Sequence, residues 1–137
     1  MCVFGQGHRH AVCCGCTISH MSFVSFLLIG LHALFAWLLI EIFVNVCHSL
    51  SRVRYVALHY LVIVGSFAVL FGLHERFFDT GASPFETTIV AIGFVLVLEF
   101  VVFRYVYAGE RWFLNFVDWI FPMFLAASTV YAVTYLW

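Results

Sequence analysis

The chain is 137 residues long, 65% hydrophobic and only 9% charged, with a formal net charge of −1. Soluble domains are about 25% charged, so this balance excludes an ordinary water-soluble fold. It also excludes a nucleic-acid binder, which needs a basic surface: the six basic residues are all arginine, and seven acidic residues offset them.

Residues 1–20 form a tail rich in cysteine and histidine. Cys2, His8, His10, Cys13, Cys14, Cys16 and His20 all precede the first long apolar run. Thiolate and imidazole are ligands for Zn²⁺ or Cu⁺, which makes His8, His10, Cys13, Cys14, Cys16 and His20 metal-ligand candidates. Their spacing matches no zinc module, because no C-x-x-C is followed by a second pair downstream. Three other fates compete: disulfides if the tail faces an oxidising compartment, acylation if it faces the cytoplasm, and no special chemistry.

Four apolar stretches follow, at about 21–46, 55–73, 85–107 and 112–137. A bilayer span needs about 20 mostly apolar residues, because the hydrocarbon core is about 30 Å thick. Hydrocarbon offers backbone groups no hydrogen bonds, so each span is expected to be a helix. The first run is too long for the apolar core of a signal peptide and carries Glu41 near its end, so it is read as retained. Ser83, Pro84 and Glu86 have the N-cap, N1 and N3 spacing of a capping box at the third helix. Gly109 suits the residue that closes that helix. In the fourth span Pro122 lies just past Asp118 and is expected to kink the helix. The predicted fold is an all-α, integral-membrane four-helix bundle. Its links are short, so the helices are expected to run up-down-up-down as antiparallel neighbours.

Arg52, Arg54, Arg104 and Arg111 fall on one side of such a bundle, and Arg9 and Arg76 on the other. The positive-inside rule then places the first side in the cytoplasm and both termini outside it.

Ionisable residues inside spans are costly and usually face the bundle interior with a partner. Glu41, His59, Glu99 and Asp118 supply one per helix. At about 1.5 Å rise per residue, all four sit roughly 7–12 Å below the arginine-rich interface. Helical phase at about 100° per residue adds neighbours to each. Glu41 aligns with Asn45 and His48, and His59 with Arg52, Tyr55 and Ser66. Glu99 aligns with Thr88 and Ile92, and Asp118 with Arg111, Asn115, Pro122 and Thr129. Four readings of this cluster compete. Ion pairs with Arg52, Arg54, Arg104 and Arg111 would lock helix register. Carboxylates and histidines could relay protons or a cation. The same set could bind Fe, Mn or Zn, although the Glu-x-x-His spacing of di-iron bundles is absent. The arginines could instead hold an anionic lipid head group.

Haem needs two histidines on different helices at one depth. His32 lies mid-span with no histidine at its depth, which leaves His20 and His74 as the pair for haem, or for a metal that includes His74. No Walker loop, G-x-S-x-G or H-E-x-x-H motif occurs, so no catalytic residue is assigned. The expected role is ion handling, of protons or a divalent metal, in a lipid bilayer. The alternatives are an accessory or scaffold subunit of a larger membrane complex or homo-oligomer, and a haem or thiol redox carrier.

Topology has a direct test. In a background without the other cysteines, Cys2 and a Glu110→Cys variant are separated by three spans. They are expected to label from opposite membrane faces with an impermeant thiol reagent. Labelling of both from one face would overturn the four-span path.

Overall fold

The computed structural model describes residues 21–47, 49–78, 81–105 and 116–137; the side chains of Phe103, Arg104, Phe116 and Asp118 stand outside that description. Within it the chain is all-α. Helix α1 runs Phe23–Cys47, α2 Arg52–Phe77 and α3 Pro84–Tyr105. A π-helical turn, Phe116–Ile120, leads directly into α4, Phe121–Leu136. Three of these helices are long and apolar enough to cross a membrane.

Local chemistry sets the helix ends. Ser22 precedes α1, and its Oγ accepts the Ser25 N–H at 3.0 Å, satisfying one of the donors that a helix start leaves open. At α3 the expected capping box is present. Glu86 Oε2 accepts the Ser83 N–H at 2.8 Å, and Ser83 Oγ accepts the Glu86 N–H at 3.3 Å. Helix α2 extends beyond the apolar run 55–73 at both ends, through Arg52 and Arg76. Hydropathy marks where hydrocarbon could lie, whereas the helix continues until something stops it.

Each helix buries one narrow row of residues spaced mostly by four. In α1 the row is Ser25, Ile29, Ala33 and Ala36, flanked by Gly30 and Trp37. In α2 it is His59, Ile63, Phe67, Phe71 and His74. Thr87, Ala91 and Val95 form it in α3, and Pro122, Ala126, Val130 and Thr134 in α4. Residues four apart lie on one helix face and build the ridges by which helices pack. Alanine and glycine in these rows let the backbones approach closely. The outward faces remain apolar: Leu61, Phe100 and Phe124 are each about two-thirds exposed, far from the polar exterior of a soluble bundle.

The principal pairings are α1 with α2, α2 with α4, α4 with α3, and α3 with α1. They form a ring in which α2 and α3 lie across a diagonal. Adjacency of sequential helices therefore holds for α1–α2 and α3–α4 and gives way between α2 and α3. Residues 78–83 can reach about 20 Å when extended, more than the ~14 Å diagonal of helices spaced ~10 Å apart. Gly81 in this link has φ +61°, the left-handed conformation that glycine adopts at low cost.

The π turn explains itself at Pro122. In π register the Val117 carbonyl looks to the N–H five residues on, and that residue is Pro122, which has none. Tyr60 of α2 supplies the missing donor: its hydroxyl gives a 2.8 Å hydrogen bond to the Val117 carbonyl. Three other hydroxyls are satisfied within their own helices: Thr88, Thr129 and Thr134 donate to the carbonyls of Pro84, Leu125 and Val130 at 2.7–2.9 Å, whereas the buried Thr87 hydroxyl has no such partner.

At Gly30 of α1 the Phe94 side chain of α3 occupies the space a Cβ would take. A Cβ added there would stand 2.5 Å from Phe94 Cζ, and the Phe94 ring is itself packed on Phe26 with ring centres 5.1 Å apart. Gly30→Ala is therefore expected to cost about 1–3 kcal/mol through overpacking. In a Phe94→Ala background the same change should be neutral or stabilising, because alanine favours helix by up to about 1 kcal/mol over glycine. Thermal unfolding of the four proteins in detergent measures this cycle; equal effects in both backgrounds would remove the contact.

Candidate functional site

A cavity of about 60 Å³ lies between the helices, lined among others by Trp37, Glu41, Tyr55, His59, Glu99 and Trp119. A water needs about 10–15 Å³ measured this way, so the space suits a few waters or one small ion. Every helical element contributes to its wall. Trp37 and Glu41 are one turn apart on α1 and share a face. Tyr55 and His59 repeat that spacing on α2. Val95 and Glu99 do so on α3. Trp119 enters from the π turn, with Pro122, Met123 and Ala126 below it on α4.

One hydrogen bond joins two of the lining residues across helices. Trp37 Nε1 donates to Glu99 Oε1 at 3.0 Å, linking α1 to α3. Both partners sit largely out of solvent: Trp37 is 8% exposed and Glu99 half-buried. Glu41 lines the same space. On the opposite wall His59 is buried in an aromatic sheath. Its ring stacks nearly parallel on Phe43 of α1, 6.1 Å between centres, with Tyr55 at 5.6 Å and Tyr60 at 6.2 Å. Tyr60 in turn packs on Phe121, 5.0 Å away.

A second, more open groove of about 500 Å³ runs along the outer side of α1. Trp37 and Glu41 border both spaces, and Asn45, Val46 and Val102 continue the groove. Glu41 therefore stands between the partly open inner cavity and the outer surface of the bundle.

No protein-family model, curated protein or solved structure matches the chain.

Three of the sequence-derived candidates, Glu41, His59 and Glu99, thus share one cavity. Asn45 does not: it is exposed, and its amide donates to the Glu41 backbone carbonyl at 2.8 Å. Arg52 and Arg54 lie on the exposed part of the first turn of α2. His48, Arg111, the Arg104 and Asp118 side chains, and the tail candidates His8, His10, Cys13, Cys14, Cys16 and His20 fall outside the described residues. The stripe drawn through Asp118, Pro122 and Thr129 assumed an unbroken α-helix. The π turn shifts that phase by about one residue. Pro122 is buried, while Thr129 is half-buried and bonded to its own helix.

His32 and His74 require a correction. His32 was read as lacking a partner at its depth, yet its ring centre lies 4.8 Å from that of His74. Counting residues from helix ends fails because the two helices do not end level: α2 stops short of the start of α1, so that even Phe78, just past its end, has its ring centre 5.8 Å from that of His32, nine residues after Phe23.

Trp37 and Trp119 were missed as site residues. The available signal was position: a tryptophan in the middle of an apolar span is not at an interface, and a buried indole N–H usually finds an acceptor. Trp37 is also one turn before Glu41. For Trp119 no comparable signal existed, since the π turn that aims it is not visible in hydropathy.

The Trp37–Glu99 bond has a measurable consequence. Trp37→Phe keeps an aromatic side chain but removes the donor together with part of the buried ring system, leaving a buried carboxyl oxygen without its partner, at a cost of at least about 1–3 kcal/mol. Glu99→Gln keeps a carbonyl acceptor at the same place and should cost less. Thermal unfolding in detergent compares them; a Trp37→Phe protein as stable as Glu99→Gln would discount the bond.

Proposed function

We propose that this chain is a multi-pass membrane protein that takes up and releases protons at a carboxylate–histidine site between its helices. The observation that carries the reading is the shared cavity: Glu41, His59 and Glu99, from three helices, line one partly open space large enough for water. Carboxylate and imidazole are the side chains that relay protons inside membranes, and they recur in pumps and transporters. The outer groove supports a path, because Glu41 borders it as well as the cavity. A proton could pass from the surface to Glu41, and through cavity water to Glu99 or His59.

The proton is preferred to a divalent metal on the donor set. Among the described residues, no three His, Cys, Asp or Glu side chains come together as ligands. Divalent ions need more donors than two separated carboxylates and one imidazole held in an aromatic stack.

The bilayer reading follows from the apolar outer faces and from the three helices of spanning length. The π turn and α4 form the fourth crossing. In an up-down-up-down path α1 and α2 run antiparallel; Phe43 meeting Tyr55, and His32 meeting His74, support that direction. The arginine surplus places Arg52, Arg54, Arg104 and Arg111 on the cytoplasmic side, with both termini opposite.

One observation favours a second reading. The Trp37–Glu99 bond ties α1 to α3 and would serve equally in a subunit whose polar residues only hold helices together. Reconstitution separates the two. Purified protein in liposomes with a pH gradient is expected to dissipate it, and Glu99→Gln and Glu41→Gln should each reduce the rate more than tenfold. Vesicles whose gradient persists with the parent protein, alongside variants that differ only in melting temperature, would make the chain an accessory subunit.

A further inference from the structure

Away from that cavity, the largest buried polar group without a partner among the described residues is an imidazole. His74 of α2 is fully buried, and neither ring nitrogen has a hydrogen-bond partner. A buried polar group without a partner costs about 1–3 kcal/mol, and a neutral imidazole has both a donor and an acceptor to satisfy. Beside it lies His32 of α1, ring centres 4.8 Å apart and nearly perpendicular. His32 Nδ1 is 2.8 Å from the Leu28 carbonyl. A carbonyl can only accept, so Nδ1 carries the proton and the Nε2 lone pair is available. That is the arrangement by which a ligating histidine is held in one tautomer. Phe71 and Phe78 enclose the pair, with ring centres 6.3 and 5.8 Å from His32 and 6.0 and 5.7 Å from His74.

We propose that His32 and His74 are the two ligands of a site for a monovalent d¹⁰ cation, with Cu(I) as the natural class and Ag(I) as its probe. Two imidazoles joined near-linearly through one ion, each at about 2 Å, have ring centres about 6 Å apart. From the observed 4.8 Å the rings must therefore open by more than about 1 Å, through a rotation of one side chain. Imidazole is a good ligand for copper. The choice of a single charge follows from the surroundings. Two neutral donors leave a divalent ion short of the four ligands it normally takes, and its larger charge is costlier among phenyl rings. A soft monovalent ion is satisfied by two donors, and the phenyl rings of Phe71 and Phe78 beside the pair tolerate a cation better than aliphatic side chains would. One His74 nitrogen would hold the ion; the remaining N–H has aromatic neighbours, which are weak acceptors. Binding uses lone pairs of neutral rings, so no proton or electron is exchanged.

The experiment uses the full chain with Cys2, Cys13, Cys14, Cys16 and Cys47 changed to serine, so that thiols do not take the ion. The protein is labelled with ¹⁵N-histidine and titrated in detergent with Ag(I), then with Zn(II). One equivalent of Ag(I) is expected to bind and to move the ring signals of two histidines together, with a rise in melting temperature. His32→Phe and His74→Phe should each lose that equivalent and the rise. Ag(I) uptake that survives in both variants, or no uptake by the Cys-free protein, would overturn the site. Zn(II) binding as tightly as Ag(I) would overturn the monovalent assignment. If either variant fails to fold, the Cys-free parent still decides: histidine ring signals that stay fixed during the titration reject the proposal.

Discussion

A carboxyl group inside an apolar bundle must be given a partner, and here an indole provides it. The hydrogen bond from Trp37 to Glu99 fixes α3 against α1 at one level and orients both side chains inward. Everything else at the cavity follows from that level. Glu41, one turn beyond Trp37, is carried to the same space. Val95, one turn before Glu99, becomes part of its wall. The two helices can come this close because Gly30, Ala33 and Ala36 leave room along α1, a packing style that depends on small residues.

The other side of the bundle meets a different difficulty. Pro122 removes a backbone donor in a helix whose neighbours are apolar, and an unpaired carbonyl there would cost free energy. The chain answers with a π turn before the proline and with the Tyr60 hydroxyl from α2. Two results come from one device: α4 is fastened to α2, and Trp119 is turned toward the cavity. Tyr60 also flanks His59, so the same side chain supports the backbone of one helix and packs the imidazole of another.

Two buried polar groupings result, and they differ in character. Around Glu99 the donors and acceptors meet in a cavity large enough for water. Around His74 the neighbours are rings, with no hydrogen-bond partner for either nitrogen. The proposed proton site is the one with room for water, and the proposed cation site is the one surrounded by rings. The separation of the two groupings along α2, from His59 to His74, is bridged by Ile63, Phe67 and Phe71.

Much of this was legible in the chain before any coordinates. Apolar runs of spanning length dictate helices, because hydrocarbon leaves the backbone no other partners. The capping residues Ser83 and Glu86 mark where α3 begins, because their bonds are local. The grouping of Glu41, His59 and Glu99 could be read from depth and phase, since both follow from the fixed rise and turn of a helix. The order of helices around the ring could not be read, because a link of six residues reaches a diagonal as readily as a neighbour. Nor could the choice of Trp37 as the partner of Glu99, the π turn at Pro122, or the meeting of His32 with His74. Each joins residues far apart in the chain, and their encounter depends on how two helices slide and rotate against each other. One sequence alone determined which segments are helical and which polar residues they carry; packing between helices decided which of those residues meet, because contact across a bundle is set by the shapes of both faces together.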